Sequence, residues 1–286
     1  MRLASTVDAR LHAVVRDRLV DLTDALGVAG SGAGGPLLAF LERGGTLAEL
    51  AALPLEDLPT RPLDGARLAA PIARPGKVVG APVNYLDHKA EMSEQKTIAE
   101  YGVFLKASSS VIGPDQAIRL PYTDVRTDQE GELGVVIGST ASRVDAADAL
   151  SHVLGYAPVL DITVRSTEDR STRKSFDTFT PFGPWITTAD EVGDPGDLEL
   201  RCWVGGELRQ KVATKELIFD VAELVAYTSH VMTLYPGDVI ATGTPAGVGP
   251  IAAGQHVVVE IDRLGRLDVP VTDDGAIPYA SRPGAR

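Results

Sequence analysis

The run Glu130-Gly131-Glu132-Leu133-Gly134-Val135-Val136-Ile137-Gly138 constrains this chain more than any other stretch. Its apolar part is short, β-branched and bounded by glycines, and reads as a buried strand. Residues two apart on a strand point to the same face, so Glu130 and Glu132 project together. Two ionised carboxylates side by side at the edge of a core repel each other and lose hydration. A cation between them offsets both costs, and hard oxygen donors favour Mg2+, Mn2+ or Ca2+ over zinc. The alternative is that both acids face water. A third acid, Asp161, ends Tyr156-Ala157-Pro158-Val159-Leu160, a second stretch that reads as a buried strand. If the two strands lie side by side, three carboxylates ring one ion and leave positions for water and a bidentate 2-oxo acid.

At 286 residues the chain has room for one large domain, or one large and one small. A formal charge of −12, from 27 basic and 39 acidic residues, argues against nonspecific nucleic-acid binding, which needs a basic surface. The single cysteine, Cys202, rules out an internal disulfide; within Leu200-Arg201-Cys202-Trp203-Val204 it reads as a buried, inert thiol on a strand. No run approaches the ~20 apolar residues of a membrane span, and the N-terminus lacks the apolar core of a secretion signal. The expectation is a cytoplasmic protein without membrane contact.

Two regions differ in pattern. Residues 1–70 read as a small, partly helical N-terminal domain. Leu11 to Leu26 shows helix-like apolar spacing with Gly27 as its stop, and Leu37–Leu41 and Leu47–Leu53 suggest two further short helices. Pro62, Pro71 and Pro75 mark an extended linker. Residues 71–286 read as a β-rich α+β domain. Candidate strands are Val78-Val79, Val103–Leu105, Leu133–Ile137 and Trp185–Thr187. Hairpins are expected around Gly205-Gly206 and around Leu264-Gly265-Arg266. Helices are expected over Ala146–Leu154 and from Asp220, with Glu223 as its capping-box partner, to about Leu234.

Other segments carry candidate chemistry. In Asn84-Tyr85-Leu86-Asp87-His88-Lys89-Ala90-Glu91 a helix places His88 and Glu91 on one face, where the carboxylate can orient the imidazole as a general base; the alternative is a surface helix with an incidental ion pair. Lys106, Arg165 and Lys174 are candidate anion binders. The loop after Pro236-Gly237-Asp238, through Thr242-Gly243-Thr244-Pro245-Ala246-Gly247-Val248-Gly249, offers backbone N–H groups that can cradle a carboxylate or oxyanion. It lacks the Gly-Lys-Ser/Thr ending of a phosphate-binding P-loop.

Taken together, these segments resemble the fumarylacetoacetate hydrolase family. The matching motifs, in order, are Pro75-Gly76-Lys77, Asn84-Tyr85-x-x-His88-x-x-Glu91, Phe104-Leu105-Lys106 with Ser109–Pro114, Glu130-Gly131-Glu132-Leu133, Gly155-Tyr156 with Asp161, Lys174–Phe179 with Gly183-Pro184, and Pro236-Gly237-Asp238 through Gly249. The resemblance implies a mixed β-sandwich roll with a smaller N-terminal domain. It implies Glu130, Glu132 and Asp161 as ligands of Mg2+ or Mn2+, and His88 and Glu91 as a dyad on a lid that orders with substrate. Lys174 resembles the active-site lysine, and Tyr85, Lys106, Arg165, Glu168 and Thr244 make up the implied substrate-facing set. Members act on small 2-oxo acids and are usually homodimers.

The chain departs from the family after Asp161. Relatives commonly read Ala/Ser-Arg-Asp-x-Gln followed by a loop with Gln-Trp, whereas this chain reads Val164-Arg165-Ser166-Thr167-Glu168 and reaches Lys174 by a shorter route without Trp. Glu168 in place of an amide substitutes an anionic acceptor, which repels a substrate carboxylate and predicts a neutral or hydrogen-bond-donating distal group. The expected activity is metal-dependent C–C bond hydrolysis of an acylpyruvate-like 2,4-dioxo acid. The alternatives are a decarboxylase or isomerase of a 2-oxo acid, or a non-catalytic metabolite binder.

Overall fold

Two strands at the centre of a ten-stranded sheet determine where the site lies. In the computed structural model, which describes residues 1–284, Gly131–Ile137 pairs antiparallel with Val153–Leu160 on one side and with Val239–Ala241 on the other. Every residue of the first two strands is buried, as expected for near-continuous apolar runs covered on both faces. Alternation divides their side chains between two cores. Leu133, Val135 and Ile137 join Leu200, Cys202, Val257 and Val259 of a five-stranded sheet packed on one face. Val136, Ala157 and Val159 join Leu3, Leu11 and Phe40 on the other. The result is a β-rich sandwich with helices at its margins, and the α+β fold class holds.

The register positions the acids. Gly131 lies opposite Leu160 and Glu132 opposite Val159, so the next pair outward is Glu130 and Asp161, joined by Asp161 N–H donating to Glu130 C=O at 2.9 Å. By the same alternation Glu132 falls on the face of Val136, and Asp161 on that of Ala157 and Val159. Three carboxylates therefore meet at one end of one face.

Several expectations hold. Val78–Gly80, Phe104–Lys106 and Ile186–Thr188 are strands, and the Gly205-Gly206 turn joins Glu199–Val204 to Glu207–Ala213 with both glycines at positive φ. The second hairpin joins His256–Ile261 to Gly265–Thr272. The helix Val221–Val231 begins with a complete Asp220/Glu223 capping box. Cys202 is fully buried and its thiol is pushed up to about 12 by desolvation, which makes it a poor nucleophile. Among the described residues no helix is long and apolar enough to cross a membrane.

The N-terminal expectation needs correction. Leu11 to Leu26 is not a helix: Leu11–Val15 and Arg18–Asp21 form a hairpin that turns at Arg16-Asp17, with Arg16 at φ 55°. Val14, Val15 and Val20 favour the pleated surface, and pairing with a neighbour overrides the accidental helical spacing. The strand Arg2–Ser5 continues this ribbon into the large sheet through Ile186–Thr188, so residues 1–70 share its hydrogen bonding and one of its cores. The linker is also not free, since Thr60–Pro62 adds an outer strand against Arg18–Val20. The short helices are present as Pro36–Glu42 and Leu47–Ala51. Ala146–Leu154 is shorter than expected: helix covers Ala146–Ala149, a 3-10 turn follows to His152, and Val153 already belongs to the buried strand.

Candidate active site

Carboxylate oxygens of Glu130, Glu132 and Asp161 all lie within 4.8 Å of one another, and all three residues are buried. Two lysines and an arginine surround them. Lys174 Nζ donates to Glu130 Oε2 and Asp161 Oδ2, both at 2.6 Å, and to Thr163 Oγ1 at 2.7 Å. Lys106 Nζ donates to Asp161 Oδ1 and to Phe179 C=O. Arg165 bridges Asp128 Oδ2 at 2.7 Å and Glu130 Oε1 at 2.8 Å. Burial alone would push the Glu130 carboxyl up, but the charges of Lys174 and Arg165 outweigh it and hold the group down at about 2. The same two acids hold the Lys174 ammonium above the usual lysine range despite its burial. Burial dominates for Lys106, which lies below that range.

Glu132 is the exception. Its one hydrogen bond among the described residues comes from Gly243 N–H at 2.8 Å, and no cationic group pairs with it. Burial first, then the neighbouring Asp161 and Glu130 charges, raise its carboxyl well above the usual range. A folded-state value above the unfolded one favours the protonated native state. The stability it contributes is present below about pH 4.5 and is lost as pH rises toward the folded value. Glu132→Gln keeps an acceptor for Gly243 without the charge. It is expected to stabilise the metal-free protein at pH 8 by about 1–3 kcal/mol, with the gain shrinking toward pH 4. Urea denaturation across this range checks it, and a pH-independent difference would contradict the account.

A short helix borders this floor. On the helix Leu86–Glu91, Glu91 Oε2 lies 3.0 Å from His88 Nδ1, which leaves Nε2 free to accept a proton when Nδ1 carries the hydrogen. Gly247 N–H donates to Glu91 Oε1 at 3.0 Å, fixing the carboxylate from the other side. Gly247 has φ +98°, and a Cβ there would meet Arg209 C=O at 2.0 Å, so only glycine fits. His88, the three acids, Arg165, Lys174 and Thr244 line one cleft.

The glycine-rich loop thus acts differently from the expected oxyanion cradle. The N–H groups of Gly243, Gly247 and Gly249 are taken by Glu132, Glu91 and Gln129, so the loop positions the protein's own side chains. Thr244 Oγ1 donates to Gly131 C=O at 3.0 Å and borders the cleft.

Three of the implied substrate-facing residues lie elsewhere. Tyr85 is packed in the main core, 1% exposed. Lys106 lies beneath Asp161, fully covered. Glu168 does not line the cleft: it accepts from Tyr279 Oη at 2.8 Å and from Arg282 Nε at 3.1 Å, tying its loop to the C-terminal segment. In its place the short helix Arg170–Arg173 brings Arg170 and Arg173 to the cleft wall. Their spacing of three puts both on one side of a single turn, a signal already present in Arg170-Ser171-Thr172-Arg173-Lys174.

Residues 77–272 match the family described as Fumarylacetoacetate (FAA) hydrolase C-terminal. The chain belongs to the fumarylacetoacetate hydrolase family. Among curated relatives in the family, the maleylpyruvate hydrolase of Aquipseudomonas alcaligenes is 39% identical over 287 residues, covering 95% of this chain and 99% of its own. The maleylpyruvate hydrolase of Sphingobium sp. SYK-6, solved with manganese (II) ion and pyruvate, superposes with a TM-score of 0.83 at 37% identity, over 98% of this chain and 100% of that one. A 5-carboxymethyl-2-hydroxymuconate delta-isomerase from Mycobacterium smegmatis gives 0.74 at 33% identity, over 95% and 99%. The family's mixed β-sandwich roll is the fold described above.

Proposed function

We propose that this protein is a metal-dependent hydrolase that cleaves the C–C bond of an acylpyruvate-like 2,4-dioxo acid. One observation carries the reading: a buried three-carboxylate cluster and an oriented imidazole line the same cleft. The cluster fits Mg2+ or Mn2+, because its donors are all hard oxygens and Glu132 has no cationic partner among the described residues. Glu130, Glu132 and Asp161 would hold the ion. When bound, it supplies Lewis acidity to the 2-oxo and carboxylate oxygens and offsets the negative charge that develops there. A relative solved with manganese and pyruvate, the product half of such a substrate, supports this assignment.

His88 Nε2 takes a proton from water, and Glu91 steadies the resulting imidazolium. The water oxygen bonds to the distal carbonyl carbon. That carbon's bond to C3 breaks, and its electron pair moves into the pyruvate enolate. The proton returns to C3, giving pyruvate and a carboxylic acid. Lys174, beside Glu130 and Asp161, adds positive charge where the enolate forms. Arg165 and Thr244 border the substrate. A cytoplasmic, homodimeric enzyme with a small N-terminal unit over residues 1–70 belongs to the same proposal.

The test is turnover of 2,4-dioxopentanoate with Mn2+ or Mg2+, with products quantified. Equimolar acetate and pyruvate are expected, and chelation should abolish their formation. A second reading, isomerisation of a 2-oxo-ene-dioate, draws on the isomerase relative. It is adopted instead if product mass is unchanged, and evolved CO2 would mark decarboxylation.

A further inference from the structure

The glycine-rich loop serves the acid cluster at one end and the base at the other, since its Gly243 amide holds Glu132 and its Gly247 amide holds Glu91. Two buried glutamines from separate strands hold the loop in turn. Gln210, 1% exposed on the strand Glu207–Ala213, donates from Nε2 to Thr244 Oγ1 at 2.7 Å and to Pro245 C=O at 2.9 Å. Its Oε1 accepts at 2.9 Å from Gly131 N–H, the amide that lies between Glu130 and Glu132. Gln129, fully buried on the strand Thr127–Gln129, donates from Nε2 to Gly247 C=O at 2.9 Å and accepts from Gly249 N–H at 3.1 Å. Neither glutamine is among the residues that line the cleft.

Both amides are fixed in sense. Each faces a backbone N–H on one side and a backbone C=O on the other, so turning either over would set donor against donor and acceptor against acceptor. Losing such an amide strands buried partners without water to replace it. Packing leaves little slack around Gln210. A Cβ on Gly131 would lie 3.2 Å from its Oε1, and one on Gly247 would lie 3.2 Å from its Cγ, so acid strand and loop both press on this side chain. Thr244 Oγ1 closes the ring by donating to Gly131 C=O. The glutamines thus divide the loop: Gln210 grips Thr244-Pro245, next to Gly243 and the acid strand, and Gln129 grips Gly247 and Gly249, next to Glu91.

We infer that Gln210 and Gln129 are positioning residues with separate tasks: Gln210 sets the geometry of the ion site, and Gln129 sets that of the general base. Only the kinetic part of this inference rests on the proposed hydrolase chemistry. Without Gln210 the Gly131 peptide and the Gly243 amide lose their common anchor, and the carboxylates of Glu130 and Glu132 no longer converge. Without Gln129 the Gly247 amide drifts from Glu91, which then ceases to keep the hydrogen on His88 Nδ1 and the lone pair on Nε2. Groups that hold ligands and bases from behind typically change affinity or activity by about 10- to 100-fold.

The experiment uses Gln210→Met and Gln129→Met, which keep the length of the side chain and remove its amide, in the full chain. Mn2+ affinity is measured by calorimetry and kcat on 2,4-dioxopentanoate. The His88 tautomer is read by imidazole nitrogen NMR of the Mg2+-loaded protein, with signals assigned by their loss in His88→Ala. Gln210→Met should weaken Mn2+ binding by about tenfold or more. Gln129→Met should change it by less than about threefold, while His88 passes from the Nδ1–H tautomer to a mixture and kcat falls about tenfold with KM little altered. In the His88→Ala background Gln129→Met should cost no further activity, because the imidazole through which it acts is gone. If Gln210→Met does not fold, Thr244→Val takes its place, since it removes the link from Gln210 to Gly131 C=O and should weaken Mn2+ binding likewise. Equal loss of Mn2+ affinity in the Gln210 and Gln129 variants, an unchanged tautomer in Gln129→Met, or kcat losses that add to that of His88→Ala overturns the division. If the wild type does not hydrolyse the dioxo acid, the hydrolase reading fails, and ion affinity and tautomer still decide the roles of the two glutamines.

Discussion

His88→Ala is expected to lower hydrolysis of 2,4-dioxopentanoate by roughly two to four orders of magnitude, the range typical for a positioned general base, while Mn2+ affinity changes by less than about threefold. The division follows from the structure. The three acids are fixed by Lys174, Lys106, Arg165 and the Gly243 amide, none of which hydrogen-bonds to the imidazole among the described residues. His88 is fixed instead by Glu91, and Glu91 by the Gly247 amide. The acid cluster and the imidazole can therefore fail separately. Glu91→Gln keeps an acceptor at the same place but removes the charge that steadies an imidazolium, so its loss should be smaller than that of the alanine variant. Paired measurements of kcat and Mn2+ affinity check this; parallel losses of both in His88→Ala would show that the base and the ion site are not independent.

Lys174→Met should give the largest stability effect. Nζ sits within 2.6 Å of two buried carboxylates, and its removal leaves Glu130 with Arg165 alone and Asp161 with Lys106 alone against the charge of three clustered acids in the metal-free protein. Breaking a buried ion pair from one side costs about 3–5 kcal/mol. The loss has a definite pH signature. Glu130 is held at about 2, below its unfolded 4.5, so its contribution is present above pH 4.5 and lost as pH falls toward 2. The deficit of the variant should be full near neutrality and shrink through that window. Mn2+ should also return part of the lost stability, since a divalent ion neutralises the same carboxylates. Urea denaturation with and without Mn2+, at pH 7 and pH 4, tests both. A deficit unaltered by metal would mean that the lysine and the ion do not answer the same charge.

Legibility in the sequence followed physical locality. Glu130, Glu132 and their strand were readable because i and i+2 on a strand share a face whatever surrounds them. His88 and Glu91 were readable for the equivalent helical reason, and Asp220 with Glu223 is a purely local cap. Convergence of Asp161 on the pair was only conditional, since it depends on the pairing of Glu132 with Val159 across the sheet. Leu11 to Leu26 misled because its apolar spacing suits a helix, while the strand Thr60–Pro62 that closes its outer edge lies far along the chain, as does Ile186–Thr188, which ties the inner strand Arg2–Ser5 to the large sheet. Glu168 misled differently. Reading it as substrate-facing assumed a particular loop path, but the segment turns that carboxylate toward Tyr279 and Arg282 and presents Arg170 and Arg173 instead.

That redirected loop has a consequence for how selectivity can drift. Tyr279 packs edge-on against Tyr122 at 4.9 Å and lies beneath Arg282 at 3.6 Å, which makes the anchor of Glu168 a small aromatic knot outside the residues that line the cleft. Substitutions in the knot would tilt the arginine-bearing turn while leaving the paired strands that carry the acids untouched. Molecules sharing this scaffold could then acquire new tastes through their tails and keep the same engine.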